Sequence, residues 1–141
     1  MATPSDIKIT VTDRAGRSCA SSGSKWEPAM GYSRAVRAGK FIAVTGSVGI
    51  NADGTYSDSM GDQARRSFQI IRAAVEALGG RIDHVIRTRM YVTDVTKWEE
   101  VAKVHGELFA DIRPATTIVE VARLIDDAAL IEIEADAVIP D

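Results

Sequence analysis

The sequence predicts a two-layer α+β fold, a sheet of six strands with two helices packed on one face. Three observations carry that reading. Six stretches alternate apolar and polar side chains with period two, as half-buried strands do. Two others space their apolar residues by three and four, as amphipathic helices do. The order β, ββ, α, β, α, ββ holds no repeat, linker or low-complexity segment, so residues 1–141 read as one domain. A chain of that length buries roughly two-thirds of its unfolded surface.

Residues 7–12 put Ile7, Ile9 and Val11 on one face and form the first strand. Residues 18–30 are rich in Ser and Gly and read as a loop, in which Trp26 packs down as an anchor rather than a ligand platform. Residues 32–37 and 41–47 are short strands about the glycine turn Ala38-Gly39-Lys40. Asn51-Ala52-Asp53-Gly54 is a further turn. The first helix opens at Asp58 or Ser59, either a good N-cap, and buries Ala64, Phe68, Ile71, Val75 and Leu78. Gly79-Gly80 ends it.

Residues 85–92 form the next strand, with Ile86, Thr88, Met90 and Val92 on one face and Val85, Arg87, Arg89 and Tyr91 on the other. The second helix opens on a capping box over Thr96-Lys97-Trp98-Glu99. It buries Trp98, Val101, Val104 or His105, and Leu108. Residues 113–123 and 130–138 are the last strands, joined across 125–129 by a connection short enough for a hairpin. Thr117, Val119 and Val121 are the core-facing set of the first of these, and Ile131, Ile133 and Ala135 of the second. Glu132, Glu134 and Asp136 share the opposite face, where something has to answer their mutual repulsion.

Composition excludes several classes. Hydrophobic content of 45% and charged content of 26% are ordinary for a globular chain. A net charge of −3 supplies no attraction for nucleic acid. No apolar run approaches the ~20 residues that span a bilayer, and no signal sequence is visible. With Cys19 as its single cysteine, the chain is expected to be cytoplasmic. His84 and His105 lack the spacing of metal ligands, Cys19 has no base beside it, and Gly46-Ser47-Val48-Gly49 lacks the Lys of a phosphate loop. No metal and no cofactor are expected.

Chemistry is left to the sheet face away from the helices, read as carrying Arg87, Arg89, Thr116, Glu120, Glu132 and Glu134 with Ile118 and Tyr91. A cleft carboxylate can hold and deprotonate a water, and an arginine can grip a carboxylate through two hydrogen bonds. The same charges can equally form an ion-pair layer at a subunit interface. Spacing alone leaves both readings open.

The run Arg-Pro-Ala-x-x-x-Val-Glu-Val-Ala-Arg-Leu from Arg113, with Ile131-Glu132-Ile133-Glu134-Ala135, resembles the C-terminal signature of the reactive intermediate deaminase family. That family is also called YjgF-like, or L-PSP endoribonuclease. Residues 31–39, which include Tyr32-Ser33-Arg34-Ala35, and residues 41–46, ending in Thr45-Gly46, match it too. The resemblance implies a chorismate-mutase-like sandwich with a mixed sheet, assembled as a homotrimeric barrel with ligand clefts between subunits. It also implies cofactor-free hydrolysis of reactive enamines and imines such as 2-aminoacrylate. Carried over, Glu132 positions the catalytic water, Tyr32 lines the pocket, and Thr45 and Gly46 border it.

The family arginine that clamps the substrate carboxylate aligns with Thr116, and its frequent cysteine aligns with Ile118. The chain therefore resembles the branches that lack the deaminase arginine. Arg89, where the family commonly has a small residue, either restores the missing charge or pairs with Glu120 or Glu134. Two functions follow. One is a deaminase or hydrolase acting on a small carbonyl-nitrogen metabolite. The other is a non-catalytic protein binding such a metabolite in the same cleft. The acidic balance argues against ribonuclease activity.

Overall fold

The computed structural model describes residues 3–141. Its elements are β1 (Thr10–Arg14), β2 (Arg17–Ser21), α1 (Trp26–Met30), β3 (Ala35–Ala38), β4 (Phe41–Val48), α2 (Met60–Ala77), β5 (Val85–Val92), α3 (Trp98–Phe109), β6 (Ala115–Glu120) and β7 (Ile131–Val138). The strands form one mixed sheet in the order β1-β2-β3-β4-β7-β5-β6. Helices α2 and α3 cover one face, and Phe68, Ile71 and Val75 of α2 meet Ile42, Val44, Ile131 and Ile133 of the sheet in a dry core. The two-layer α+β class holds.

Among the described residues there are seven strands rather than six. The seventh, β2, lies in the stretch read as a loop. Its sequence Arg-Ser-Cys-Ala-Ser has no β-branched residue, so propensity is silent. Two backbone effects make it a strand. Ala15 and Gly16 both take positive φ (51° and 76°), the geometry of a tight hairpin turn, which pairs Arg14 with Arg17. Then Cys19 and Ala20 are buried as β2 docks on β3. The first strand is displaced accordingly, to Thr10–Arg14.

The connection between the last two strands is not a hairpin. β6 pairs in parallel with β5, the strand that α3 joins it to, while β7 runs antiparallel between β4 and β5. The facing of β6 is also the reverse of the expectation. Thr116 is hydrogen-bonded to Thr88, itself fully buried, and Ile118 packs on the core, so these two look to the helix side. Thr117 and Val119 look away. β6 has β-branched residues on both faces, so its pattern carried no direction; pairing with β5 decides it.

Bulges account for the other departures. One between Val85 and Arg87 buries Val85 and turns Ile86 out, 50% exposed. In the second amphipathic helix, Trp98 is exposed and Phe109 is buried instead. His105 sits against Phe68 and Phe109 with ring centroids 5.7 and 4.7 Å away. No Thr96–Glu99 box forms: α3 starts after Lys97 without a side-chain cap, and Asp94 instead caps the 3-10 turn Val95–Lys97 that leads into it, its carboxylate accepting from Thr96 N–H at 3.0 Å. The N-cap of α2 is Ser59, accepting from Asp62 N–H at 3.2 Å, as expected.

A candidate ligand cleft built on Glu132, Tyr32 and Arg34

A cleft of about 1160 Å³ opens beside the β4–β7 pair, roofed by α1 and the 50–56 turn. Strand alternation aims Glu132 away from the core, because Ile131 and Ile133 on either side of it are fully buried. A second bulge, between Val44 and Ser47, puts Thr45 and Gly46 beside it on β4. Gly46 leaves the room that the Glu132 carboxyl occupies. A Cβ on it would lie 2.9 Å from Cδ of Glu132, so any side chain would push the carboxyl away.

Burial, then the Glu134 charge, push the Glu132 carboxyl above its ordinary range, and Arg34 pulls the other way. Tyr56 is pushed up to about 12, first by burial and then by Asp126. Glu134 is tied down by the Tyr91 hydroxyl, which donates to it.

Thr45 closes one edge by donating its hydroxyl to Ser33 C=O at 2.6 Å, while its N–H donates to Arg34 C=O at 3.0 Å. Those bonds fix the segment that carries Tyr32 and Arg34 against β4. Arg34 Nη1 donates to Gly46 C=O at 2.9 Å and to Ser47 Oγ at 3.3 Å, and Nη2 donates to the Tyr32 hydroxyl at 3.2 Å. Trp26 and Met30 of α1 stand exposed at the cleft mouth, with Lys25 Nζ 5.1 Å from the Trp26 ring centroid. Trp26 is thus only partly packed, at 39% exposed.

Four of the residues singled out from sequence come together here: Tyr32, Thr45, Gly46 and Glu132. Three do not. Arg89 lies on the uncovered sheet face with its Nη1 3.1 Å from Asp136, neither Glu120 nor Glu134 being its partner. Thr116 and Ile118 lie on the helix side of the edge strand, opposite in facing to Glu132 within one chain. Sequence reasoning does not single out Arg34, although it stands inside the segment Tyr32-Ser33-Arg34-Ala35. The available signal was a charged residue immediately before the small, core-bound Ala35. Among the described residues, no group of three His, Cys, Asp or Glu side chains could hold a metal ion. No described helix is long and apolar enough to cross a membrane.

The family model described as Endoribonuclease L-PSP matches residues 23–139. The chain is 32% identical over 111 residues to a 2-iminobutanoate/2-iminopropanoate deaminase of Salmonella typhimurium, covering 76% of this chain and 86% of that one. Among solved structures it is similar to Rv2704 of Mycobacterium tuberculosis, a member of the YjgF/YER057c/UK114 family. The TM-score is 0.81 with 43% identity, covering 87% of this chain and 99% of that one. It is also similar to Escherichia coli TdcF with bound serine, with a TM-score of 0.71 and 29% identity over 76% of this chain and 87% of that one.

Proposed function

Because the chain belongs to the Endoribonuclease L-PSP family, the Rid/YjgF proteins, we propose that it is a cofactor-free hydrolase of imines, enamines or related carbonyl-nitrogen metabolites. The observation that carries this reading is Glu132, a carboxyl held half-buried over a glycine in a large cleft, with its proton affinity raised. A carboxylate so placed is a stronger base than one in water. A relative named for imine deamination and a solved neighbour with serine bound support a small amino-acid-derived ligand.

The reaction balances without a cofactor. Glu132 takes a proton from water as the water oxygen bonds to the imine carbon, and the C=N π pair moves to nitrogen, which receives that proton from Glu132. The carbinolamine then re-forms a C=O bond as its C–N bond breaks, and Glu132 takes the hydroxyl proton. Glu132 passes this second proton to the departing nitrogen, and ammonia leaves. Thr45 and Gly46 border the water, and Tyr32 presents its hydroxyl to the substrate. Substrate is supplied as a homotrimer's intersubunit ligand in this reading, with the sheet face that lacks helices covered by the other copies. The acidic groups Glu132, Glu134 and Asp126 in the cleft weigh against a polyphosphate substrate.

Ammonia release from freshly generated 2-aminoacrylate, set beside imines made from a range of amino acids and a panel of cyclic imines, tests it. Turnover of at least one class is expected, and Glu132→Gln should reduce it by ~10²-fold while leaving folding intact. Binding without turnover of any member would return the chain to a non-catalytic metabolite binder. Thr116 in place of the clamp arginine makes the 2-aminoacrylate arm the most informative one.

A further inference from the structure

Arg34 has a guanidinium inside the cleft wall that the reaction above leaves without a task. The residue is 7% exposed. A buried cation is costly unless a counter-charge answers it. The carboxylate within reach, Glu27, answers it at a distance, with Oε2 4.0 Å from Nε. That oxygen already accepts from Ser22 N–H at 3.1 Å, Ser22 Oγ at 2.7 Å and Ser24 N–H at 3.3 Å. Among the described residues, Nε has no hydrogen-bond partner.

Nη1 is occupied by Gly46 C=O and Ser47 Oγ, whereas Nη2 gives a single hydrogen to Tyr32 and keeps another. Since the Tyr32 oxygen accepts from Arg34, its own proton is left to donate elsewhere. Both side chains line the cleft.

The other arginines lining the cleft are already engaged, and Lys8 and Lys25 stand at it without a carboxylate partner among the described residues, Lys25 lying over the Trp26 ring. Arg66 holds Asp6 at 2.9 Å, and Arg123 holds Asp127 at 2.6 Å. Arg89 is held by Asp136, and Thr116 carries no charge. Gly46 joins the two halves of the site. Its carbonyl holds Arg34, and its α-carbon lies under the Glu132 carboxyl. An anion received at Arg34 and Tyr32 therefore lies in the same cleft as the carboxyl that handles water.

We propose that Arg34, with the Tyr32 hydroxyl, forms the anion-binding end of this cleft and receives a carboxylate of the ligand. The inference deepens the hydrolase reading by assigning the substrate's charge to a residue on the β3 side of the cleft. It rests on that reading only for the choice of cleft. In a two-carboxylate view of the site, Glu132 meets the carbon–nitrogen bond while Arg34 meets the acid group.

Calorimetric titration with pyruvate, 2-oxobutanoate and benzoate, each beside its neutral amide, tests it without requiring turnover. The wild-type chain is expected to bind each acid ~10-fold or more tightly than its amide, as a charge-assisted pair demands. Arg34→Gln should erase that preference, Arg34→Lys should restore part of it, and Arg89→Gln should leave it intact. Should Arg34→Gln fail to fold, Tyr32→Phe keeps the cation and is expected to weaken acids several-fold more than amides. No preference for acids in the wild type, its persistence in Arg34→Gln, or its loss in Arg89→Gln overturns the assignment. Acid binding through Arg34 with no imine turned over would sink the hydrolase reading alone. Imine turnover with KM unchanged in Arg34→Gln would sink the anion site alone.

Discussion

Glu132 illustrates what one side chain's surroundings can do to it. Burial raises its proton affinity, Glu134 adds to that, and Arg34 opposes both. The sign of the stability effect follows from the direction of the shift. Below the ordinary carboxylate value both folded and unfolded states bind the proton, and nothing is lost. As pH rises through the folded-state value, the buried carboxyl ionises against its surroundings and the folded state loses stability. Glu132→Gln should therefore melt higher than wild type at about pH 7, with the gap closing towards about pH 4. Melting temperatures across that range check it, and a gap that widens on acidification would mean that Glu132 is stabilised as an anion. The resemblance made Glu132, Tyr32 and Gly46 legible as neighbours before any coordinates, and alternation added only the outward facing of Glu132. Arg34 was not, because no period or propensity announces that a charge will be buried; its place depends on backbone bonds to Ala20 and Thr45 from two other strands.

Elements were legible wherever pattern and partner agreed. In α2, the stripe Ala64, Phe68, Ile71, Val75 and Leu78 is buried as its spacing requires, and β7 buries the alternate residues expected of it. Failure came where a bulge or a partner overrides the local pattern. Between Val44 and Ser47 the β4–β7 register shifts, which sets Thr45 and Gly46 at the cleft, and between Val85 and Arg87 a similar shift exposes Ile86. β6 lies at the sheet edge, and its facing was unreadable because threonine, isoleucine and valine suit either side. The start of the second amphipathic segment shows the same limit at finer grain. Thr96 and Glu99 have capping-box spacing, yet the cap is made one turn earlier, by Asp94 on the 3-10 turn Val95–Lys97, where it binds Thr96 N–H at 3.0 Å and its hydroxyl at 2.5 Å. Asp94→Ala should accordingly cost ~1 kcal/mol in urea unfolding, while Glu99→Ala should change stability by less than ~0.5 kcal/mol. The reverse ranking would restore the box.

For the molecule as a whole, the open question is what covers the sheet face that no helix covers. Carboxylates there looked from sequence like an unanswered acidic strip, but the chain answers much of it internally. Arg89 pairs with Asp136, and the Tyr91 hydroxyl donates to Glu134. A face neutralised in this way can be buried against another protein surface without stranding charge. It also keeps apolar groups in solvent: Phe41 is 43% exposed opposite Val138 in register, and Val119 is 42% exposed on the edge strand. Closed symmetric assembly is the economical way to hide such a face, and the homotrimer expected from the resemblance would do so. Three copies of the 15.2 kDa chain give ~46 kDa. Sedimentation equilibrium at micromolar concentration should return that mass, with no dissociation on moderate dilution. A monomer would leave the face bare and the cleft open on one side, and the site that the hydrolase chemistry relies on would then have to be formed by one chain alone.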